Sequence, residues 1–422
     1  MKILLPTIFI IIHIGSFAQR DSLQAYYQVG VNAYEAKEYH LYLESFKRAN
    51  EIRPNHPTIM YNLASAFALN QKIKASLIVI KQLINMNTSL LEEIKKDEDF
   101  QSLVQRQDFK ELEKYAQQKS ARISKSRTHD LIKLDSIHIE GISYNPTKKE
   151  YYLGAVNTRT LFSYSDVGLE EIVSHQDIPN VFSILGVAYH AKANSIWLCT
   201  NALPQMSGYS DAQSGFSSII EYSLDQKKVV TEILKEGASA FGDLIVSKNG
   251  QVFVSDGLGN KICIVKSGDT ELSTFIDLSS IAFNLQGLSL SQNEEFLFVA
   301  DYISGIFKID MTDNSVTRLV LPENVSPKGI DGLYLHANSL LAIQNGTTPY
   351  RIMQLNLSTK KDAVMNVQIF DQARKEFDEP TQGVILNDRF VYIANSPWGK
   401  YSDDRVLNAK QDLLLLSHPL KE

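Results

Sequence analysis

Residues 285–310 read LQGLSLSQNEEFLFVADYISGIFKID. Gln286-Gly287-Leu288 opens one short β-type run, and a second apolar run closes on Asp301 before a turn and a third run. The same pair of landmarks recurs along the back of the chain. Glu140-Gly141-Ile142, Leu185-Gly186-Val187, Gly242-Asp243-Leu244, Asp331-Gly332-Leu333 and Gln382-Gly383-Val384 repeat the opening, and the middle positions lie 45, 57, 44, 45 and 51 residues apart. Each opening is followed 12 to 16 residues on by a strand ending in Asn or Asp: Asn157, Asn201, Asp256, Asp301, Asn345 and Asn395.

Six strand–turn–strand units with a period in the forties are the signature of propeller blades. Residues 135–422 are therefore expected to form a six-bladed β-propeller, and the fold class to be mainly β with a helical front. The extra length of the second unit, Pro204 to Ser217, reads as a loop on the ligand face. Asp412 to Ser417 and Leu131 to Ile139 read as strands at the two ends of this region, so pairing of the ends should close the ring.

In such a ring the first strand of each blade lines the channel and its start faces the mouth. The residues there are Glu140, Leu185, Gly242 with Asp243, Gln286, Asp331 and Gln382. Three carboxylates, Glu140, Asp243 and Asp331, are hard oxygen donors suited to a divalent cation, calcium before others. Gln286, Gln382, Asn345, Asn395 and Trp398 are the candidate ligand contacts, Trp398 through a ring that can stack on a flat apolar face or pack between blades. An Asn or Asp found in every blade, by contrast, reads as a residue that closes a strand onto turn backbone. The repeated glycines read as close approaches near the axis.

The phrases IEGISYNP, FGDLIVSKNGQVFVSDGLGNKI, LQGLSLSQNEEFLFVADYISGIFKID and GIDGLYL resemble the NHL-repeat and SMP-30/gluconolactonase-like propellers. The resemblance spans about two thirds of the chain. It implies a divalent metal at the channel, held by Glu140 and a later acid such as Asp331. Asp243 falls where calcium-dependent lactonases of that family carry Asn-Asp, but Gly242 replaces the Asn. Leu185 and Gln286 stand where a polar ligand or catalytic acid is expected, so the lactonase set is incomplete.

The front of the chain is different. Residues 1–18, MKILLPTIFIIIHIGSFA, have the layout of a cleaved leader: Lys2, an apolar run, then Ser16 and Ala18 before a cut at Gln19. An exported, soluble mature protein, periplasmic or secreted, is expected, without a lipoprotein cysteine or a membrane span. Residues 19–115 show helical spacing and one internal repeat. Gly30 and Ala64 lie 34 residues apart, with Phe46, Ala49 and Pro54 in the first unit and Phe67, Ser76, Ile80 and Leu83 in the second. The segment resembles two tetratricopeptide units and implies a surface for a protein or peptide partner. Two units fall below the usual three for independent stability, so this domain should lean on its neighbour. Residues 116–134, polar and basic, read as a linker.

The 422 residues carry 48 acidic and 42 basic side chains, a formal charge of −6, which argues against general nucleic-acid affinity. The two cysteines, Cys199 and Cys263, could form one disulfide in an oxidising compartment, but each lies in an apolar strand-like run, and two buried free thiols are the preferred reading. No HExxH, GxSxG, Walker A or GxGxxG pattern supplies another chemistry; His138 and His190 read as strand-face residues. Two functions follow. One is an exported propeller that binds a small ligand at its mouth and a partner through its helices. The other is a metal-dependent lactonase or esterase.

Overall fold

The computed structural model describes residues 17–408 and 410–420, with side chains from residue 22 onward. Most of the expected leader, residues 1–16, lies outside the described residues.

Six antiparallel sheets follow one another around a ring. Their inner strands are Ile139–Asn145, Ser183–His190, Phe241–Val246, Leu285–Leu290, Ile330–His336 and Gly383–Leu386, blades one to six in that order. Each middle strand is sandwiched by neighbouring blades on both faces. Such strands read as near-continuous apolar runs rather than alternations, and Ser339–Gln344 (SLLAIQ) is buried at every residue. The outermost strands meet water on one side, and Lys228–Lys235 keeps only Thr231 buried. The core is therefore distributed between blades. One cluster joins Phe298 and Ala300 of blade four to Leu333, Leu340 and Met353 of blade five, all 1% exposed or less.

The inner strands approach so closely that side chains are excluded at the repeated glycines. A Cβ on Gly287 would sit 2.4 Å from the Asp331 carbonyl oxygen, and one on Gly141 would sit 2.9 Å from that of Leu185. The Asn and Asp landmarks mostly perform the strand-closing role expected of them. Asn201, for example, accepts from the Phe241 amide at 2.7 Å and donates to the Phe241 carbonyl at 2.8 Å. Cys199 and Cys263 are buried and unpaired.

The ring closes through its ends, with a shift in register from the expectation. Arg127–Ile132, rather than 131–139, forms the outer strand of blade six and pairs with Leu413–Pro419, from Arg127 opposite Ser417 to Ile132 opposite Leu413. Residues 133–138 lie between strands. The expected linker is mostly built structure. The helix Gln107–Ser120 ends inside it, Ile123–Ser124 adds a fifth strand to blade five, and Arg127–Ile132 follows. Its polar composition reflects outer-edge strands with one wet face, which composition alone does not distinguish from loop.

Seven α-helices precede the ring among the described residues. Phe17–Glu35 packs on Tyr39–Ile52, and Pro57–Leu69 on Ile73–Met86. At Gly30 the first pair nearly touches: a Cβ there would meet the Phe46 ring at 2.5 Å. The helices do lean on the propeller. The Thr88 amide donates to the Thr348 carbonyl at 2.9 Å, and the Thr348 amide to the Met86 carbonyl at 2.8 Å. Arg351, 4% exposed, donates to the Asn85 carbonyl, Gln372, Gln344 and Thr347. No helix among the described residues is long and apolar enough to cross a membrane.

Candidate functional site

Glu140 begins the inner strand of blade one and is buried. Its Oε2 accepts from Ser396 Oγ at 2.7 Å and from Trp398 Nε1 at 3.0 Å, both in the loop that follows the second strand of blade six. Ser396 Oγ also lies 2.7 Å from His138 Nε2, and His138 Nδ1 lies 2.9 Å from the Tyr401 hydroxyl. Trp398 stands edge-on to His138, with ring centroids 4.6 Å apart. One carboxylate oxygen is thus fixed by two donors, while Oε1 has no hydrogen-bond partner among the described residues. Trp398, a candidate ligand contact, orients Glu140 through its indole N–H.

Asp331 opens the inner strand of blade five and is half-buried. Its Oδ2 accepts from Asn345 Nδ2 at 2.7 Å, and the Tyr302 hydroxyl donates to Asn345 Oδ1 at 3.1 Å. Asn345 is the one landmark that does not close its strand. The neighbouring Gln344 does so instead, donating to the carbonyls of Ser326 and Lys328 at 2.8 Å each. The loop after Asn345 carries Thr348 and is bonded to the helical domain, so the helices brace this side of the mouth.

A third mouth carboxyl was not marked by the sequence reading. Glu379, in the loop before the inner strand of blade six, is half-buried. Burial first, then the charges of Glu140 and Asp378, push its pKa up to about 7. Burial, then Glu140, also raises the Asp331 carboxyl well above the usual range; Glu379 and Asp243 add to this, and the Asn345 bond opposes it. Like charges in a poorly solvated space disfavour ionisation in this way. The Glu379 carboxyl has no hydrogen-bond partner among the described residues. The Ser396 amide donates to the Glu379 carbonyl at 2.9 Å while the Ser396 hydroxyl donates to Glu140, so Ser396 ties the Glu379 loop to Glu140. Burial, then the charges of Asp331 and Glu379, raises the Tyr302 hydroxyl well above its ordinary value.

The remaining candidates are placed elsewhere. Asp243 is buried lower in the channel, its Oδ1 accepting from the Leu244 amide at 2.8 Å and its Oδ2 from the Leu288 amide at 3.4 Å, which ties blade three to blade four. Gln382 donates to the Leu185 carbonyl at 3.0 Å, bridging blade six to blade two past blade one. Gln286 bonds to Asn284 at 3.0 Å, beside its own strand. Asn395 spends its amide on the closing strand, donating to the Asp412 carbonyl and accepting from the Leu414 amide. Among the described residues no group of three or more His, Cys, Asp and Glu side chains is gathered closely enough to hold a metal ion. The expected trio of Glu140, Asp243 and Asp331 does not fit such an ion, because Asp243 is committed to backbone amides away from the mouth.

Sequence reasoning missed Glu379 because it lies in a connecting loop, three residues before the repeated motif. Its signal was the acidic pair Asp378-Glu379 ahead of Pro380. His138 and Ser396 gave no signal beyond their proximity to Glu140 and Asn395.

No protein-family model and no curated protein matches the chain. Similar solved structures include the PQQ-bound aldose sugar dehydrogenase of Streptomyces coelicolor, at 11% identity over 71% of this chain and 99% of that one, with a TM-score of 0.48. Virginiamycin B lyase of Staphylococcus aureus matches at 12% identity over 70% of this chain and 99% of that one, with a TM-score of 0.46. Likeness this distant brings no chemistry with it, and the mouth has to be read from its own side chains.

Proposed function

We propose that the chain is an exported propeller that binds a small, hydrogen-bond-donating molecule, rich in hydroxyls or amines, at the mouth shared by Glu140, Asp331 and Glu379. The unpartnered carboxyl of Glu379 carries this reading. A half-buried acid that the protein leaves unsatisfied, beside two others, is stabilised by donors arriving from outside. The fixed Oε2 of Glu140 and the Asn345-bonded Oδ2 of Asp331 support it, since each pre-orients a carboxylate whose second oxygen is unengaged. Export rests on the leader-like residues 1–18.

In this reading the helical pairs are tetratricopeptide-like, supported by the 34-residue spacing of Gly30 and Ala64 and the contact of Gly30 with Phe46. They offer a surface to a protein or peptide partner while bracing the Asn345 loop. The metal-dependent hydrolase reading asks for three convergent ligands that Glu140, Asp243 and Asp331 do not supply, so binding is preferred.

The test is calorimetry or ligand-observed NMR on the full chain with a panel of neutral sugars, amino sugars and sugar lactones. Saturable binding that Glu379→Gln and Glu140→Gln each weaken supports the proposal. Binding by no member, or binding indifferent to both substitutions, refutes it. Turnover of lactones or aryl esters that depends on added calcium would restore the hydrolase reading.

A further inference from the structure

Two contacts cross between blades within the channel: Gln382 of blade six donates to the Leu185 carbonyl of blade two, and the Tyr334 hydroxyl of blade five accepts from the Gly383 amide at 2.8 Å. Lined by the later halves of the inner strands lies a cavity of about 480 Å³. Because the strands start at the mouth, this cavity opens on the opposite face. Its volume falls within the range of small-molecule sites, about 300–1,000 Å³, and such sites pair apolar walls with a few polar groups.

The lining has that character. Val187, Leu288, Leu290 and Val384 supply aliphatic wall, and Tyr144 and Tyr189 stand along it. One carboxyl, Asp243, is 91% buried from solvent (9% exposed) and lines the cavity. Among the described lining residues there is no Lys, Arg or His to match it. Each Asp243 oxygen accepts one backbone amide, which leaves each a further lone pair. We infer that this cavity is a second binding site, for a small organic monocation with an apolar body: an alkylammonium whose chain lies on the aliphatic wall and whose head donates to Asp243. Burial pushes the Asp243 carboxyl up to about 7, against the Leu244 and Leu288 amides, which favour its charged form. A bound ammonium would supply the partner that the fold omits.

The inference does not depend on the mouth and has its own probes. Calorimetry on the full chain at pH 8 would compare butylamine, hexylamine, hexanol and hexanoate. Hexylamine is expected to bind, with affinity rising roughly fourfold per methylene from butylamine. Hexanol should be weaker and hexanoate silent. Asp243→Asn should weaken hexylamine by about tenfold or more, the loss of one charge-assisted hydrogen bond. Because Asp243 also ties two blades, a second variant is needed: Leu290→Trp, half-buried toward the open end, should exclude the amine while leaving Asp243 in place. Equal binding of hexylamine and hexanoate, no dependence on chain length, or unaltered binding in Leu290→Trp overturns the inference. So does hexylamine binding that responds to Glu379→Gln, which would put the amine at the mouth.

Discussion

Replacing Glu379 with Gln tests whether the mouth acids oppose folding. Burial and the neighbouring charges raise the carboxyl from 4.5 to about 7 in the folded chain. A carboxyl with a raised folded pKa takes up its proton more readily in the native state, so the wild type loses stability as pH climbs from about 4.5 through 7. The shift corresponds to about 3 kcal/mol at full ionisation. Glu379→Gln removes this charge and relieves Asp331, so it should stabilise the protein by up to about 3 kcal/mol at pH 8, roughly 5 °C in Tm. At pH 4.5 and below the two proteins should melt together. Thermal denaturation followed by circular dichroism across pH 4 to 8 reads both limits. Equal melting at pH 8, or a gap that persists undiminished at pH 4, would refute the account of an electrostatically strained mouth. Stabilisation combined with weaker ligand binding is the pattern of a residue kept for function.

Other perturbations probe the frame around the mouth. Leu415→Ala, at a fully buried position of the closing strand, should cost about 2–5 kcal/mol in urea denaturation, whereas the same change at exposed Leu131 should cost little. Gly287→Ala forces a methyl to within 2.4 Å of the Asp331 carbonyl oxygen and should destabilise by about 1–3 kcal/mol, or shift Asp331 enough to alter ligand affinity. Arg351→Ala removes the donor to Asn85, Gln372, Gln344 and Thr347. Limited proteolysis should then cut faster within residues 85–125 while the blades keep their β-sheet signal; an unchanged digest would mean that the helices are held by other contacts.

The blade architecture was legible because it is written in repetition. Gly287 and its counterparts mark where inner strands crowd the axis, and Asn201 or Asp301 mark where a strand locks onto the preceding turn. Repetition is silent about the residues that make one blade unlike another. Asn345 looked like its counterparts and is not one of them, because Gln344 takes over the strand-closing bonds and frees it for Asp331. Asn395 was read both ways, and its amide proves to be structural. The acids at strand starts were found from the motif, but their grouping was not: the repeat aligns Asp243 with Gly141, one residue beyond Glu140, and the Leu244 and Leu288 amides hold its carboxyl there, on the cavity side of the channel. Glu379 belongs to a loop of variable length, where periodicity carries no information.

The manner of ring closure bears on the order in which the molecule can assemble. Lys133 and Asp412, at the end of the seam between Arg127–Ile132 and Leu413–Pro419, are 279 residues apart in sequence. During synthesis the helices and five blades emerge before the seam has its second side. Until then Arg127–Ile132 is an unpaired edge, and contacts of such separation form slowly. Leu413–Pro419 acts as a latch, and the ring closes only once this strand is available to pair. A ring joined in this way keeps blade six incomplete until strands from opposite ends of the propeller region meet.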